Sequence, residues 1–224
     1  METQKKPNIT EIEKRLEELR AEKQELLQIA SEIEGAYLSA YEIRPAGRHV
    51  LTIGEDLIQD QYAAIVELVK NCYDADSPDA VIVFQGIPED DCLEIRVEDH
   101  GHGMSTKDII NKWLVPSTDY KLGSRKSPLG RTMQGRKGIG RYAASILGDD
   151  LKLQTVDASG VETILYIRWQ QLAQYQYLDQ IQVPIKTKQT DRKPGTILTM
   201  HSRLSENVYW TEKAFRKLRF ELKK

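Results

Sequence analysis

From Ile9 to Tyr37 the apolar positions Ile12, Leu16, Leu19, Leu26, Ala30, Ile33 and Tyr37 recur three and four apart, with Lys23 interrupting the series. That spacing predicts a helix with a heptad seam, either packed on its own domain or paired in a parallel or antiparallel coiled coil. The pattern changes after Pro45 and Gly47, and the stretch from Gly35 to Gly54 reads as a hinge. Beyond it the pattern predicts a helix over 57–73, a strand over 80–85, a turn over 89–91 and a strand over 92–98. A short helix over 107–113 is followed by a long run without periodicity and a helix starting near Gly138. Strands are expected over 151–156 and 161–169, turning at Ser159 and Gly160, then over 180–185 and 196–201, with a last helix from Thr211. Hairpin-linked strands with helices between them, and no regular βαβ repeat, point to an α+β fold: a two-layer sandwich of helices on a mostly antiparallel mixed sheet. No internal repeat and no low-complexity tract is visible.

The 224 residues suit one domain plus an appendage. The 32 Lys and Arg against 34 Asp and Glu leave a formal charge of −2, so no global basic field asks for nucleic acid. The N-terminal METQKKPN has no apolar core and no apolar run is long enough to span a bilayer, which predicts a cytoplasmic protein without membrane contact. Cys72 and Cys92 are too few for a zinc cluster or a disulfide framework and are expected as reduced thiols.

Within ELVKNCYDAD, residues 67–76, Ile65, Leu68, Val69 and Cys72 form an apolar stripe, while Glu67, Asn71 and Asp74 line up on a second stripe roughly opposite the first. A polar stripe of this kind is ordinarily the solvated face of an amphipathic helix. In LEIRVED, Leu93, Ile95 and Val97 alternate with charged residues, so period two carries Asp99 onto the inward face, where a carboxylate needs donors from protein, water or ligand. The following Gly101 and Gly103 permit a tight backbone that a flat group approaches closely, or a simple turn closed by Asp99. Further on, Gly135, Gly138 and Gly140 open a helix, and free amides there form a phosphate cradle. From Lys121 to Arg141 there are seven basic residues and no acidic one, which calls for an anion. GRTMQGRKG misses the P-loop pattern, because Arg136 and Lys137 stand where Lys and Ser or Thr belong. GIGRYA fits a dinucleotide fingerprint but lacks a leading strand, and His100 and His102 have no further ligands at metal spacing.

Taken in order, ELVKN followed by Asp74, then DHGHG, then GRKGIG, the chain resembles the ATP-binding module of the GHKL, or Bergerat-fold, superfamily over about residues 57–200. That superfamily groups gyrase B subunits, ninety-kilodalton heat-shock chaperones, histidine kinases and MutL repair proteins. GMSTKDIINKW places the resemblance closest to the chaperone-like and MORC-like branch. The resemblance implies ATP and Mg²⁺ as cofactors. Glu67 would be the general base for the attacking water, Asn71 would complete the coordination of magnesium, and Asp74 would hold the helix end and backbone near the nucleotide. Asp99 would accept the adenine amino group and so discriminate against guanine. Gly101 and Gly103 would lie at the base, Met104 would pack on it, and Thr196 would reach it through water. Residues 105–134 would be a mobile lid, with Ser117, Thr118 and Lys121 as candidate contacts. Gly135, Arg136, Lys137, Gly138, Ile139 and Gly140 would wrap the phosphates.

The expected organisation is an N-terminal helical arm over 1–45, an ATP-binding domain over 46–210 and a C-terminal helix over 211–224 leading to a further domain. The gyrase, chaperone and MutL branches take a phosphate-sensing Lys or Arg from such a second domain. The function implied is an ATPase, slow in isolation, whose lid closure and dimerisation through arm or lid switch a larger protein. Two alternatives stay open: a histidine kinase catalytic domain, although Glu67 is present and His49 lacks a phosphoacceptor context, and a nucleotide-gated clamp holding nucleic acid on segment 121–141 with little hydrolysis.

Overall fold

The computed structural model describes residues 9–32, 43–49, 51–52, 58, 60–115, 126–134, 140–205 and 209–223. The chain divides into two compact units, Met1–Ile43 and Arg44–Lys224. In the first, helix α1 spans Ile9–Glu32; the expected seam beyond it, to Tyr37, lies outside the described residues.

The second unit is a helical layer on one six-stranded sheet in the order β1-β2-β6-β3-β4-β5, with β1 Ala80–Ile87, β2 Cys92–Asp99, β3 Asp150–Val156, β4 Val161–Arg168, β5 Ile185–Gln189 and β6 Gly195–Arg203. Every pairing is antiparallel, so the sheet has no parallel component. The α+β sandwich expected from the pattern is the architecture found. Period-two alternation drives it: Leu93, Ile95 and Val97 of β2, Leu151 and Leu153 of β3, and Leu165 and Ile167 of β4 all point into one buried core. Ala64, Ile65, Leu68 and Cys72 of helix α2, Gln61–Asp74, close that core from above. Burial pushes the Cys72 thiol up to about 12, with the nearby Asp99 charge adding to the shift, so this cysteine is an inert core residue.

Three expectations are corrected. Helix α2 starts at Gln61 rather than 57, because the Asp60 side chain accepts the Ala63 amide at 2.8 Å and caps the helix there. The strand expected over 180–185 is instead a 3₁₀ turn, Leu178–Gln180, followed by an unpaired stretch, and β5 begins at Ile185. Pro184 has no amide to donate to a ladder, and Ile181 and Val183 satisfy their apolar character by packing on the core. The helix expected from Gly138 is a 3₁₀ turn, Gly140–Ala143, running into the single α-turn α4, Ala144–Leu147, and the two together bury Tyr142, Ala143, Ala144 and Leu147 against the core.

Between β2 and α4 the chain forms α3, Thr106–Asp108, which continues as a π-helical turn, Ile109–Trp113. Ser105 and Asp108 make a reciprocal capping box at its start. Helix α5, Trp169–Leu172, ends β4. Helix α6, Glu212–Glu221, is capped by Thr211 and tied to the β1 side by aromatic contacts, Phe84 lying 4.6 Å from Trp210 and 4.9 Å from Phe215. No helix among the described residues is long and apolar enough to cross a membrane.

Candidate functional site

The inward face of the sheet turns polar at one end, on four adjacent strands at once. Asp99 pairs with Thr196, Thr196 with Thr155, and Thr155 with Thr163, so one row of polar side chains follows the apolar rows of β2, β6, β3 and β4. All four residues are buried. Thr155 Oγ1 accepts the Met104 amide at 2.9 Å and lies 3.1 Å from Thr196 Oγ1, while Thr163 Oγ1 meets Thr106 Oγ1 at 2.9 Å. Thr155, Thr163 and Thr106 were not singled out from sequence. The signal was nonetheless present, since each strand's inward apolar set ends in Asp or Thr, a pattern visible only once the strands are aligned in register.

Asp99 is the charged member of the row. Its Oδ1 accepts the amides of Gly101 at 2.9 Å and Thr196 at 3.3 Å, and its Oδ2 takes no hydrogen bond among the described residues. Burial pushes its carboxyl above the ordinary range, opposed by those two amides and by His102 and His100. One oxygen is thus fixed by the backbone and the other has no donor among the described residues.

The loop after Asp99 is held by the protein itself. Gly103 has φ +64°, and a Cβ there would stand 1.8 Å from the Val156 carbonyl oxygen; a Cβ at Gly101 would stand 2.3 Å from that of Ala75. Within the chain, the close approach that these glycines permit is to the backbone of Val156 and Ala75. Gly103→Ala is expected to cost about 3 kcal/mol or more, combining left-handed strain with a backbone clash, and a thermal melt that leaves the midpoint unmoved would refute it.

Helix α2 brings the second set. At about 100° per residue Asn71 falls within roughly 20° of Ala64, so the polar stripe borders the core instead of opposing it. Asp74 is buried, and its Oδ1 accepts the Gln134 amide at 2.7 Å. Asn71 is half-buried and makes no side-chain hydrogen bond among the described residues. Glu67 is half-buried too, with Oε1 receiving Lys70 Nζ at 2.7 Å. A partly exposed pair of this kind contributes about 0.5 kcal/mol, so a ligand can displace it.

Just beyond α2 the chain makes a Schellman closure, with Ser77 N bonded to Cys72 O and Asp76 N to Tyr73 O, and with Asp76 in the left-handed position usually held by glycine. The Asp76 carboxylate accepts Ser127 Oγ at 2.5 Å and the Leu129 amide at 3.0 Å, and Arg131 Nη1 donates to Ser77 O at 2.7 Å. Burial pushes the Asp76 carboxyl up, but the Ser127 hydroxyl, the Leu129 amide and the Arg131 charge together hold it below the ordinary range. Residues 126–132 form a tight turn on the end of α2, in a stretch the sequence pattern left without structure.

The structure thus brings Asp99, Gly101, Gly103, Met104 and Thr196 together at the sheet end. Asp74 and the start of the glycine-rich segment meet through Gln134. Ser117, Thr118, Lys121, Gly135, Arg136, Lys137, Gly138 and Ile139 lie outside the described residues, and Gly140 opens the 3₁₀ turn before α4.

Comparison with known proteins gives the family. A stretch of 105 residues, 47% of this chain, is 32% identical to a protein of Herpetosiphon aurantiacus described as "Putative type II restriction enzyme HgiDII", of which the chain covers 16%. A solved structure, the ATPase region of Saccharomyces cerevisiae topoisomerase II, superimposes with a TM-score of 0.46 and 15% identity over 71% of this chain and 43% of that one. The family described as histidine kinase-, DNA gyrase B- and HSP90-like ATPase matches residues 60–197. The chain belongs to the histidine kinase-, DNA gyrase B- and HSP90-like ATPase family.

Proposed function

We propose that this domain binds ATP with magnesium and hydrolyses it, using the closure of its lid and the pairing of two copies to switch a larger protein. The observation that carries the reading is Asp99: a buried carboxylate with one oxygen locked by two amides and the other without a partner among the described residues. Such an acceptor suits the adenine amino group and repels the guanine carbonyl at the same place. The Thr155 and Thr196 hydroxyls beside it supply donors and acceptors for a ring nitrogen or a bridging water, and Met104 lies next in the chain with its amide fixed.

The phosphates would extend from there toward α2, and the motif resemblance implies that amides of Gly135, Gly138 and Gly140 and the charges of Arg136 and Lys137 would serve them. Asn71 offers a neutral oxygen donor with no competing hydrogen bond among the described residues, which fits a hard ion that takes most of its shell from phosphate and water. Magnesium, when bound, screens the phosphate charge. Glu67, one turn before Asn71 on α2, would hold and deprotonate the attacking water. Both ends of the lid, 105–134, have fixed roots: Ser105 and Thr106 on one side, Ser127 and Leu129 on Asp76 and Gln134 on Asp74 on the other.

Calorimetric titration with ATP and with GTP, each with magnesium and with phosphate release followed on the same samples, tests the reading. Binding of ATP with GTP at least about a hundredfold weaker is expected, and no adenine nucleotide binding would end it. The pH dependence is a second check. Asp99 has its carboxyl raised by burial, so without nucleotide it favours stability below the ordinary carboxylate pKa, and that contribution is lost as pH rises through its folded-state value. Nucleotide needs the ionised form, so binding should release a proton. Affinity for ADP is expected to weaken as pH falls through the folded-state pKa of Asp99, which burial raises, and that weakening should be absent from Asp99→Asn; the same pH profile in wild type and variant would remove the carboxylate from the site.

A nucleic-acid reading draws on the similarity to the protein described as a restriction enzyme and on the basic residues 121–141. Of those, Arg131 is turned inward onto Ser77, Asp76 and the Tyr73 ring, which leaves it serving the fold.

A further inference from the structure

Helix α1 exposes apolar seam positions on either side of Lys23, with Leu16, Leu19 and Leu26 between 47% and 61% accessible. In heptad terms Ile9, Leu16 and Lys23 take the a positions and Ile12, Leu19 and Leu26 the d positions. Arg15 and Glu22 are then at g, and Glu13 and Arg20 at e. A seam of this kind is covered by another helix, and the charges decide which one and in what direction.

In a parallel, in-register pair, Lys23 would stack on Lys23 in the middle of the seam and Arg15 at g would face Arg20 at e of the next heptad. Both contacts set like charges against each other, and twofold symmetry doubles the second. Turning one helix around removes both. With the twofold axis between Glu17 and Glu18, Leu16 packs on Leu19 of the second copy and Lys23 comes opposite position 12 of that copy. Glu13 then faces Arg20 and Arg15 faces Glu22, so that four opposite-charge pairs flank the seam. Sliding that pairing by one seam layer would set Arg20 on Arg20 and Glu22 on Glu22. We propose that α1 docks on a second copy of this chain as an antiparallel coiled coil centred between Glu17 and Glu18.

The consequence is geometric. At 1.5 Å of rise per residue the two chains leave the coil at opposite ends, their Glu32 residues about 40 Å apart. This inference stands on α1 alone and is independent of the proposed nucleotide chemistry.

Arg20 gives the test, because Arg15 already has an intrahelical partner in Glu18 at 2.9 Å. The dimer dissociation constant of the full chain, without nucleotide, would be measured by analytical sedimentation for wild type, Arg20→Glu and the double variant Glu13→Arg with Arg20→Glu. Two Glu13–Arg20 attractions become repulsions in the single variant, so its dissociation constant is expected to rise about tenfold, and the double variant is expected to return close to wild type. Tighter dimers with Arg20→Glu would mean parallel pairing, and an unchanged constant would mean another register; either overturns the proposal. So would a monomeric wild type, or a double variant that stays as weak as the single one.

Discussion

Replacing Glu67 by glutamine is expected to slow phosphate release by about a hundredfold or more while ATP affinity stays within a few-fold of wild type. The side chain keeps its size and place on α2 but loses the ability to take a proton from water, and general-base catalysis is worth about 10²–10⁴ in rate. The structural cost is small. Glu67 is half-buried and its ion pair with Lys70 is the kind of partly exposed pair that contributes about 0.5 kcal/mol. Folding and binding should therefore survive, so rate and affinity separate in one variant. Single-turnover phosphate release beside a calorimetric titration checks this. Equal and negligible turnover in both proteins would instead describe a nucleotide-binding module that scarcely hydrolyses, and label appearing on protein would describe a kinase.

Asp99→Asn is expected to weaken ATP binding by about a hundredfold, near 2.7 kcal/mol, and to leave the fold as stable as wild type or slightly more so. The backbone explains why the amide cannot substitute. The amides of Gly101 and Thr196 both donate to Oδ1 and so require an acceptor there. An asparagine that satisfies them presents its NH₂ to the adenine amino group, donor against donor; flipped, it presents its oxygen to adenine and its NH₂ to two amides. One set of bonds is lost either way. Stability does not fall with it, because the carboxylate is already pushed toward its neutral form by burial and the variant removes that penalty. Affinity within threefold of wild type would show that Asp99 does not read the base.

Much of this arrangement was legible in the sequence because the signals were local. Alternation in LEIRVED carries Asp99 inward without reference to any other strand, and the spacing of Ile65, Leu68 and Cys72 defines the core face of α2. What stayed hidden depends on register and long-range contact. Thr155 and Thr163 join Asp99 only because three strand pairings bring them into one row, and no short window contains that information. Asp74 reads as solvated from its helical position, yet it is buried because Gln134 reaches it from sixty residues away. The strand expected over 180–185 is absent for a local reason: Pro184 closes a ladder to an otherwise apolar run.

Asp76 ties two jobs to one residue. Its left-handed backbone ends the helix that carries Glu67 and Asn71, and its side chain holds Ser127 and Leu129 of the 126–132 turn. A glycine there would relax the backbone by about 1 kcal/mol and at the same time let go of the 126–132 turn, so gain and loss oppose each other at a single position. Loosening of that turn and fraying of the last turn of α2 are thus expected to occur together in local opening.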